Sequence, residues 1–369
     1  METFLSLNSV MQILRGSALL FPLLLFAVVS AGCDGTSANE ASEDGRNCTI
    51  DTDHLRGGTE RGAIEAISDP AVVGPNDDRV SDLRDDDRVI ALLVDGRPLA
   101  VPRKLLNQHE VVNFEWANRQ LAVTYCPLTG SSLAFDREKV DGAEFDVSGL
   151  LFHDNLVMVD ARDGESLWPQ MSRRATCGPN TGTSLDMVPV LDLQWGHWRS
   201  LHPNTRVLPV RVQSTESNSS PEPPAQTQVS SRGTADAEKQ SEPSGPVLGL
   251  PGFSQAGGGG VEKSSTDGIA FSFRDLSTDA GARVIEVSSN QVLFWKEEAR
   301  AAMVYRSSKD FSVENGNIVD AETGSAWAID GRAVDGVREG ERLEPVASAY
   351  VAMGSAWFDF HPDSAVWEK

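Results

Sequence analysis

The stretch "LAVTYCPLTGSSLAFDR", residues 121–137, decides the fold class. Its first apolar run is rich in residues that favour strands, and it ends at Cys126. Pro127 and Gly130 favour a turn, and a second apolar run follows. The pattern therefore predicts a β-hairpin with Cys126 at its corner.

Most of the chain consists of similar short apolar runs between turn residues, and helical patterns are few. Strands are predicted at 88–94, 97–101, 143–147, 155–160 and 283–287, and helices at 60–67, 103–109 and 196–202. We therefore predict a β-rich α+β fold of short strands and hairpins with few short helices.

The sequence also contains an internal repeat. "VDARDGESLW" (159–168) is echoed by "VDAETGSAW" (319–327), and "HWRSLHPNTRVL" (197–208) by "AWFDFHPDSAVW" (356–367). These echoes predict two tandem related modules, with the second a degenerate copy of the first. The predicted divisions are an N-terminal extension packed on the first module at 49–84, the first module at 85–212, a disordered linker at 213–245 and the second module at 246–369. The linker is rich in Ser, Pro, Gln, Thr and Glu, and it has little to bury.

Each copy keeps a Trp four residues before a His-Pro pair. The pairs are Trp198 with His202 and Trp357 with His361. Residues at this spacing share one face of a helix. Because both copies keep the pair, we interpret it as a structural clasp.

The N-terminus has the three-part order of a secretory signal. Arg15 precedes an apolar run, and small residues precede Cys33. The stretch from Ser30 to Cys33 resembles a lipobox, which predicts a signal peptide at 1–33, lipid attachment at Cys33 and a flexible tether at 34–48. An ordinary cleaved signal or an uncleaved anchor stays open, as does a start at Met1 or Met11. The expected location is extracytoplasmic, as a bacterial membrane-anchored lipoprotein in the periplasm or on the outer surface.

The formal net charge is −22 and the sequence pI is about 4.6. Such a chain repels nucleic acid and anionic membrane surfaces. We therefore expect no nucleic-acid partner, and contact with the membrane only through the lipid anchor. The expected partner is an envelope protein or a small ligand of unknown identity.

If Cys33 carries lipid, three thiols remain outside the cytoplasm: Cys48, Cys126 and Cys177. They permit one disulfide and leave one odd cysteine, with the pairing open. When the two copies are aligned without gaps, Lys296 takes the place of Cys126. Unpaired lysine is seldom buried, so we expect Cys126 to be at least partly exposed unless it is bonded to Cys177.

Several stretches resemble a family of bacterial and archaeal domains of unknown function, number 3179. Its T-Y-C-P-L-C-G signature is read here as Thr124–Gly130, with Thr129 in place of the second cysteine. Further matching stretches are "GGTERGAIEAISDP" (57–70), "NQHEVVN" (107–113), "FDVSGLLFHDNLVMVD" (145–160), "SLWPQ" (166–170) and "WGHWRSLHP" (195–203). The resemblance implies no activity, because the family has none assigned. Thr129 also removes the resolving thiol that a dithiol cycle needs.

Candidate catalytic or binding residues come mainly from those special to the first copy. They are His109, Glu110, Asn113, Cys126, Ser148, His153 and Gln170, with Asp160 added as a carboxylate. Cys126 and His109 are the candidate metal ligands, helped by Glu110 or Asp160. Alternatively, His109 is the base for a Cys126 nucleophile, oriented by Asn113 or Asp160. A third reading is that Cys126 is only a structural thiol or a disulfide partner.

Two functional hypotheses follow from these residues. The first is a non-catalytic binding or assembly module at the cell envelope. The second is a metal- or thiol-dependent enzyme with its site around Cys126 and His109, for which a transition metal would be the cofactor. The sequence lacks G-x-S-x-G, P-loop, Rossmann and H-E-x-x-H motifs, which favours the first hypothesis.

Overall fold

This computed structural model describes residues 48–162, 164–210, 243–255, 261–263 and 268–369. The predicted signal peptide, Cys33, residues 34–47 of the tether and residues 213–242 of the linker lie outside the described residues. Within the described ranges, no helix is long and apolar enough to cross a membrane.

The chain before the first copy contributes two short strands, which attach to that copy. They are β1 (Leu55–Gly57) and β2 (Ile67–Ser68). β1 pairs antiparallel with residues 150–152, and β2 pairs parallel with residues 112–113. The helix predicted at 60–67 is wrong: turns and irregular chain occupy residues 60–66, and Ile67 begins a strand.

The first copy is a series of short strands with two helices. In chain order they are β3 (Arg88–Val94), β4 (Arg97–Pro102), α1 (Arg103–His109), β5 (Val111–Trp116), β6 (Arg119–Cys126), β7 (Ser131–Asp136), β8 (Phe145–Phe152), β9 (Asn155–Asp160), β10 (Leu167–Pro169), β11 (Asp186–Val188), β12 (Leu191–Gln194), α2 (Trp195–Leu201) and β13 (Arg206–Val207). Short 3-10 turns lie at Thr52–His54, Asp78–Val80, Arg137–Val140 and Gln170–Ser172.

The second copy follows the same order. Its elements are β14 (Pro246–Leu250), β15 (Phe253–Gln255), β16 (Val261–Lys263), β17 (Ile269–Ser272), α3 (Phe273–Leu276), β18 (Ala282–Ser288), β19 (Gln291–Lys296), β20 (Ala301–Arg306), β21 (Phe311–Glu314), β22 (Asn317–Asp320), β23 (Ala326–Trp327), β24 (Ala333–Asp335), β25 (Glu344–Pro345), β26 (Tyr350–Met353), α4 (Gly354–Phe360) and β27 (Ala365–Val366). The chain is therefore strand-rich, as predicted.

Two-residue turns close several of the hairpins. In β3–β4 the turn residues Asp95 and Gly96 have φ values of 48° and 73°. In β21–β22 the corresponding residues, Asn315 and Gly316, have φ values of 49° and 80°. Positive φ at both positions is typical of the type I′ turn, whose twist matches that of the flanking strands.

The strand order repeats between the copies, and one sheet contains strands of both. The order β12-β3-β4-β13 in the first copy matches β26-β14-β17-β27 in the second. The second set continues the β5-β6-β7 sheet of the first copy, through the pairing of Val351 with Ser132. At this junction the Met353 amide donates to the Thr129 carbonyl over 2.8 Å. At the equivalent junction the Gln194 amide donates to the Ala299 carbonyl over 3.3 Å. The copies thus share one sheet, through β26 and β7, and a hydrogen bond between Gln194 and Ala299 joins them at the pseudo-twofold equivalent place.

The buried side chains follow the same relation. One core between the copies contains Trp195, Trp198, Phe294, Tyr305 and Trp327. The other contains Cys126, Phe135, Trp168, Tyr350 and Trp357. Two further cores lie within single copies, and a smaller cluster surrounds the Cys48–Cys177 disulfide. Because both inter-copy cores mix side chains from the two halves, neither half covers its apolar surface alone.

Candidate functional site

Cys126 ends β6 and lies against the β8–β9 hairpin. Its Sγ accepts a hydrogen bond from the Leu156 amide at 3.4 Å and lies 3.7 Å from the Asp154 carbonyl, to which it donates. Its side chain is buried, with 1% exposure, so the expectation of partial exposure is wrong. The disulfide joins Cys48 to Cys177 and leaves Cys126 as a free thiol.

Lys296 explains why the exposure was mispredicted. Its Nζ donates to the Gly316 carbonyl over 2.7 Å, and Gly316 occupies the place of Asp154 in the second copy. Side chains at this corner therefore make the same contact in both copies. A lysine can bury its stem and carry its charge to a carbonyl at the edge, so it does not imply an exposed position.

The chemistry around Cys126 opposes thiolate formation. Burial raises the pKa of the thiol above its ordinary value, and the nearby charge of Glu110 raises it further. Hydrogen bonds from Thr129 and from the Leu156 amide act in the opposite direction without cancelling these effects. A reactive cysteine has a lowered pKa and access to solvent, and Cys126 has neither.

Glu110 follows α1 in a backbone conformation with φ 57° and ψ −34°. Its amide donates to the Leu106 carbonyl over 2.8 Å, and its own carbonyl accepts from the Tyr125 amide at 2.8 Å. Burial raises the pKa of its carboxyl to about 7. Close to neutral pH this side chain therefore exists in both protonation states.

A buried polar network lies directly under the signature loop. The amide of Asn155 donates to Thr129 at 3.0 Å, to Ser131 at 3.1 Å and to Gln170 at 2.9 Å. Gln170 in turn donates to the Thr124 hydroxyl at 2.8 Å. All five side chains are buried. Thr129, which stands in place of the family's second cysteine, is thus part of the network that fixes the loop.

The remaining candidates of the first hairpins make local structural contacts. His109 lies with Nδ1 2.8 Å from the Glu65 carbonyl. Asn113 exchanges two hydrogen bonds with the backbone of Phe145, at 2.8 and 2.9 Å, and so joins β5 to β8. Ser148 donates to the Val157 carbonyl at 2.6 Å, inside an irregularity of the β8–β9 pairing. Asn113 and Ser148 thus join neighbouring strands, and His109 holds the end of α1 to the N-terminal extension.

Asp160 lies at the far end of β9 from the Cys126 contact. Its carboxylate accepts from the Ser166 amide at 2.8 Å, from Asn180 at 2.7 Å and from the indole of Trp168 at 3.2 Å. Asp320 accepts from the indole of Trp327 at 3.1 Å in the second copy. The repeated Asp and Trp therefore form the same buried contact twice.

The candidate metal ligands do not converge. Across the described ranges, no three or more His, Cys, Asp or Glu side chains are grouped so that they could hold a metal ion. His153, the other histidine special to the first copy, stacks on His54 with 4.8 Å between ring centroids and contacts Phe360 at 5.6 Å. Burial lowers the pKa of His153.

The two Trp–His pairs lie at the two inter-copy cores. The rings of Trp198 and His202 are 4.1 Å apart, and those of Trp357 and His361 are 4.0 Å apart. Their further partners differ. His361 meets the Tyr350 hydroxyl at 3.0 Å, and burial lowers the pKa of this histidine to about 4.

His202 instead meets Asp330 of the second copy, with Nε2 3.0 Å from Oδ2. Burial alone would raise the pKa of Asp330, but His202 and Arg342 outweigh burial and lower it. No motif or spacing in the sequence marks Asp330, and the repeat gives no hint of it, because the corresponding position in the first copy is Met171.

The tip of the signature loop is the exposed part of this region. Leu128 is 54% exposed, while Cys126 and Thr129 on either side of the tip are buried. Among the described residues, the other exposed large apolar side chains are Val334 and Val337, both in the second copy. The first copy therefore presents one leucine on a turn that is held from below.

Comparison with known proteins gives a family and no activity. A family model described as "Protein of unknown function (DUF3179)" matches residues 61–364, which includes both copies. No curated protein and no solved structure matches the chain.

Proposed function

The chain belongs to the DUF3179 family, a family of unknown function, and from this premise we propose that it is a non-catalytic binding module at the cell envelope. The surface we assign to binding is the signature corner, defined as residues 124–130. The observation that carries the proposal is the contrast between the buried polar side chains of this corner and its exposed Leu128.

The polar side chains of the corner are occupied within the protein. Thr124 and Thr129 belong to the buried network with Asn155 and Gln170, and the Cys126 thiol bonds to the β8–β9 hairpin. Such a network orders the loop before any partner arrives, which lowers the entropy cost of binding. Leu128 then offers a partner an exposed apolar side chain on an ordered loop.

The disulfide supports an extracytoplasmic location. Cys48 and Cys177 are bonded over a sequence separation of 129, and disulfides persist mainly in oxidising compartments. Together with the signal-like N-terminus and Cys33, this favours a lipoprotein on the outer side of a membrane. Cys33→Ala should then release the protein from the membrane fraction or leave it unprocessed, as mass spectrometry of the N-terminal peptide would show.

The alternative, a metal- or thiol-dependent enzyme around Cys126 and His109, receives less support. The Cys126 thiol is buried and its pKa is raised, and His109 contacts the Glu65 carbonyl. Metal analysis of protein purified without chelator separates the two proposals. Stoichiometric metal that is lost in both Cys126→Ser and His109→Ala would favour the enzyme.

Site-specific photo-crosslinking in the native cell tests the binding proposal. A photoreactive residue at position 128 should give a discrete crosslinked product in the envelope fraction. The matched control carries the same residue at the exposed turn position Asp95, on the β3–β4 hairpin, and should give none. Equal labelling at both positions, or none at position 128, would argue against the signature corner as a contact surface.

A further inference from the structure

A cavity of about 200 Å³ lies between the two copies. The first copy lines it with Leu191 and Trp198, and the second copy with Met303, Tyr305, Asp330 and Arg342. Gly96 of the first copy lines it too. Because Gly96 and Arg342 are both exposed, the cavity is open to solvent. It lies at the inter-copy core of His202, whereas the signature corner packs at the other one.

The two inter-copy interfaces differ at one pair of equivalent residues, Leu191 and Tyr350. Leu191 begins β12 and Tyr350 begins β26, so the two residues occupy equivalent positions. Tyr350 is buried, its ring lies 5.2 Å from that of Trp357, and its hydroxyl meets His361 at 3.0 Å. Leu191 has neither a ring to cover Trp198 nor a hydroxyl to meet His202. The cavity therefore lies where the other interface holds a phenol ring.

The polar groups at this place have unmet capacity. Asp330 Oδ1 accepts from the Arg332 amide at 3.3 Å. Asp330 Oδ2 lies 3.0 Å from His202 Nε2 and 3.5 Å from Arg342 Nη1, yet neither Oδ2 nor Nε2 makes an aligned hydrogen bond within the described part of the chain. Asp330 is 7% exposed, so its carboxylate oxygen is held away from bulk water. A buried carboxylate oxygen that has cations nearby but no aligned donor gains from a ligand that supplies one.

We propose that this cavity is a binding site for a small hydroxylated aromatic compound, which supplies the ring and hydroxyl that Tyr350 supplies at the equivalent interface. The ring would lie against Trp198 and Leu191, and the hydroxyl would donate to Asp330 beside His202. The apolar walls provide burial for the ring, and the single polar end selects a phenol over a plain hydrocarbon.

Calorimetric titration of the full chain with p-cresol, the side-chain analogue of tyrosine, tests the site. We expect one p-cresol per chain, with toluene binding roughly tenfold more weakly because it lacks the hydroxyl. Leu191→Tyr should abolish p-cresol binding, because the new side chain fills the cavity as Tyr350 fills the other interface. Val337→Ala, at an exposed position outside the cavity lining, is the control and should bind p-cresol like the wild type.

Asp330→Asn keeps the shape of the cavity and replaces the charged acceptor by a neutral amide, so it should reduce the difference in affinity between p-cresol and toluene. This variant tests the proposal even if Leu191→Tyr does not fold. Absence of p-cresol binding to the wild type at millimolar concentration would overturn the proposal, and so would unchanged binding by a folded Leu191→Tyr protein. Neither result bears on the crosslinks expected at position 128, so the two proposals fail separately.

Discussion

Glu110→Gln should be more stable than the wild type at high pH, and this advantage should shrink as the pH falls. Burial raises the pKa of Glu110 from 4.5 to about 7. One pKa unit corresponds to about 1.4 kcal/mol, so the buried charge costs roughly 3 kcal/mol once it is fully formed. Gln has nearly the same shape and keeps the strain of the positive φ unchanged, so the comparison isolates the charge.

The sign follows from the direction of the shift. The folded state holds the proton of Glu110 more tightly than the unfolded state does. Below pH 4.5 the carboxyl is protonated in both states and the penalty is absent. As the pH rises from 4.5 to 7 the unfolded state gains the charge freely while the folded state resists it, so the free energy of unfolding falls. Above pH 7 the full penalty is present.

Urea unfolding at a series of pH values from 4 to 8 measures the effect. The difference in free energy of unfolding between Glu110→Gln and wild type should grow by roughly 3 kcal/mol in favour of the variant across this range. The exposed Glu314→Gln is the control and should show no comparable trend. A difference that stays constant with pH would refute the reasoning, because it would mean that Glu110 is not a buried titrating group.

Three further outcomes follow from the structure. Cys177→Ser should lower the free energy of unfolding by ~4 kcal/mol in urea, because the lost bond closes a long loop; an unchanged midpoint would contradict this. Cys126, being buried, should react with a thiol reagent only as fast as the protein opens, and rapid labelling of Cys126 itself, identified by peptide mass spectrometry, would argue against the burial. Protease should cut first within 213–245, yet the two fragments should elute together in native size-exclusion chromatography, since the copies share a sheet and two cores. Separate elution would show that the copies are independent.

Local patterns were enough to predict many of the elements. The strands predicted at 88–94 and 155–160 and the helix at 103–109 have the predicted bounds. In each, the apolar pattern and the turn or helix-end residues agree with one another. The apparent helix at 60–67 failed because its partners are distant in sequence: Ile67 pairs with Val112 in a parallel ladder.

The site was harder to predict, because its contacts join residues that are far apart in sequence. The network under the signature corner joins Thr129 to Asn155 and Gln170, which come from different hairpins. The Cys48–Cys177 pairing depends on how the N-terminal extension meets the first copy. The repeat revealed two copies, but the repeat pattern does not indicate that they share a sheet. The prediction that Cys126 is exposed was wrong because it assumed that Lys296, at the equivalent position, lies in solvent. An alignment does not show that Lys296 contacts the Gly316 carbonyl instead.

The pseudo-twofold packing of the copies has a consequence for how such a chain could arise. Two halves that each complete the other through a pair of equivalent junctions have the geometry of an isologous dimer that has been fused into one polypeptide. In a dimer of identical subunits, a substitution would change both interfaces at once. Fusion removes that constraint. Tyr350 packs against Trp357 at one interface, whereas Leu191 lines a cavity at the other. A duplicated chain can therefore carry one cavity per molecule, where a symmetric dimer would carry two or none.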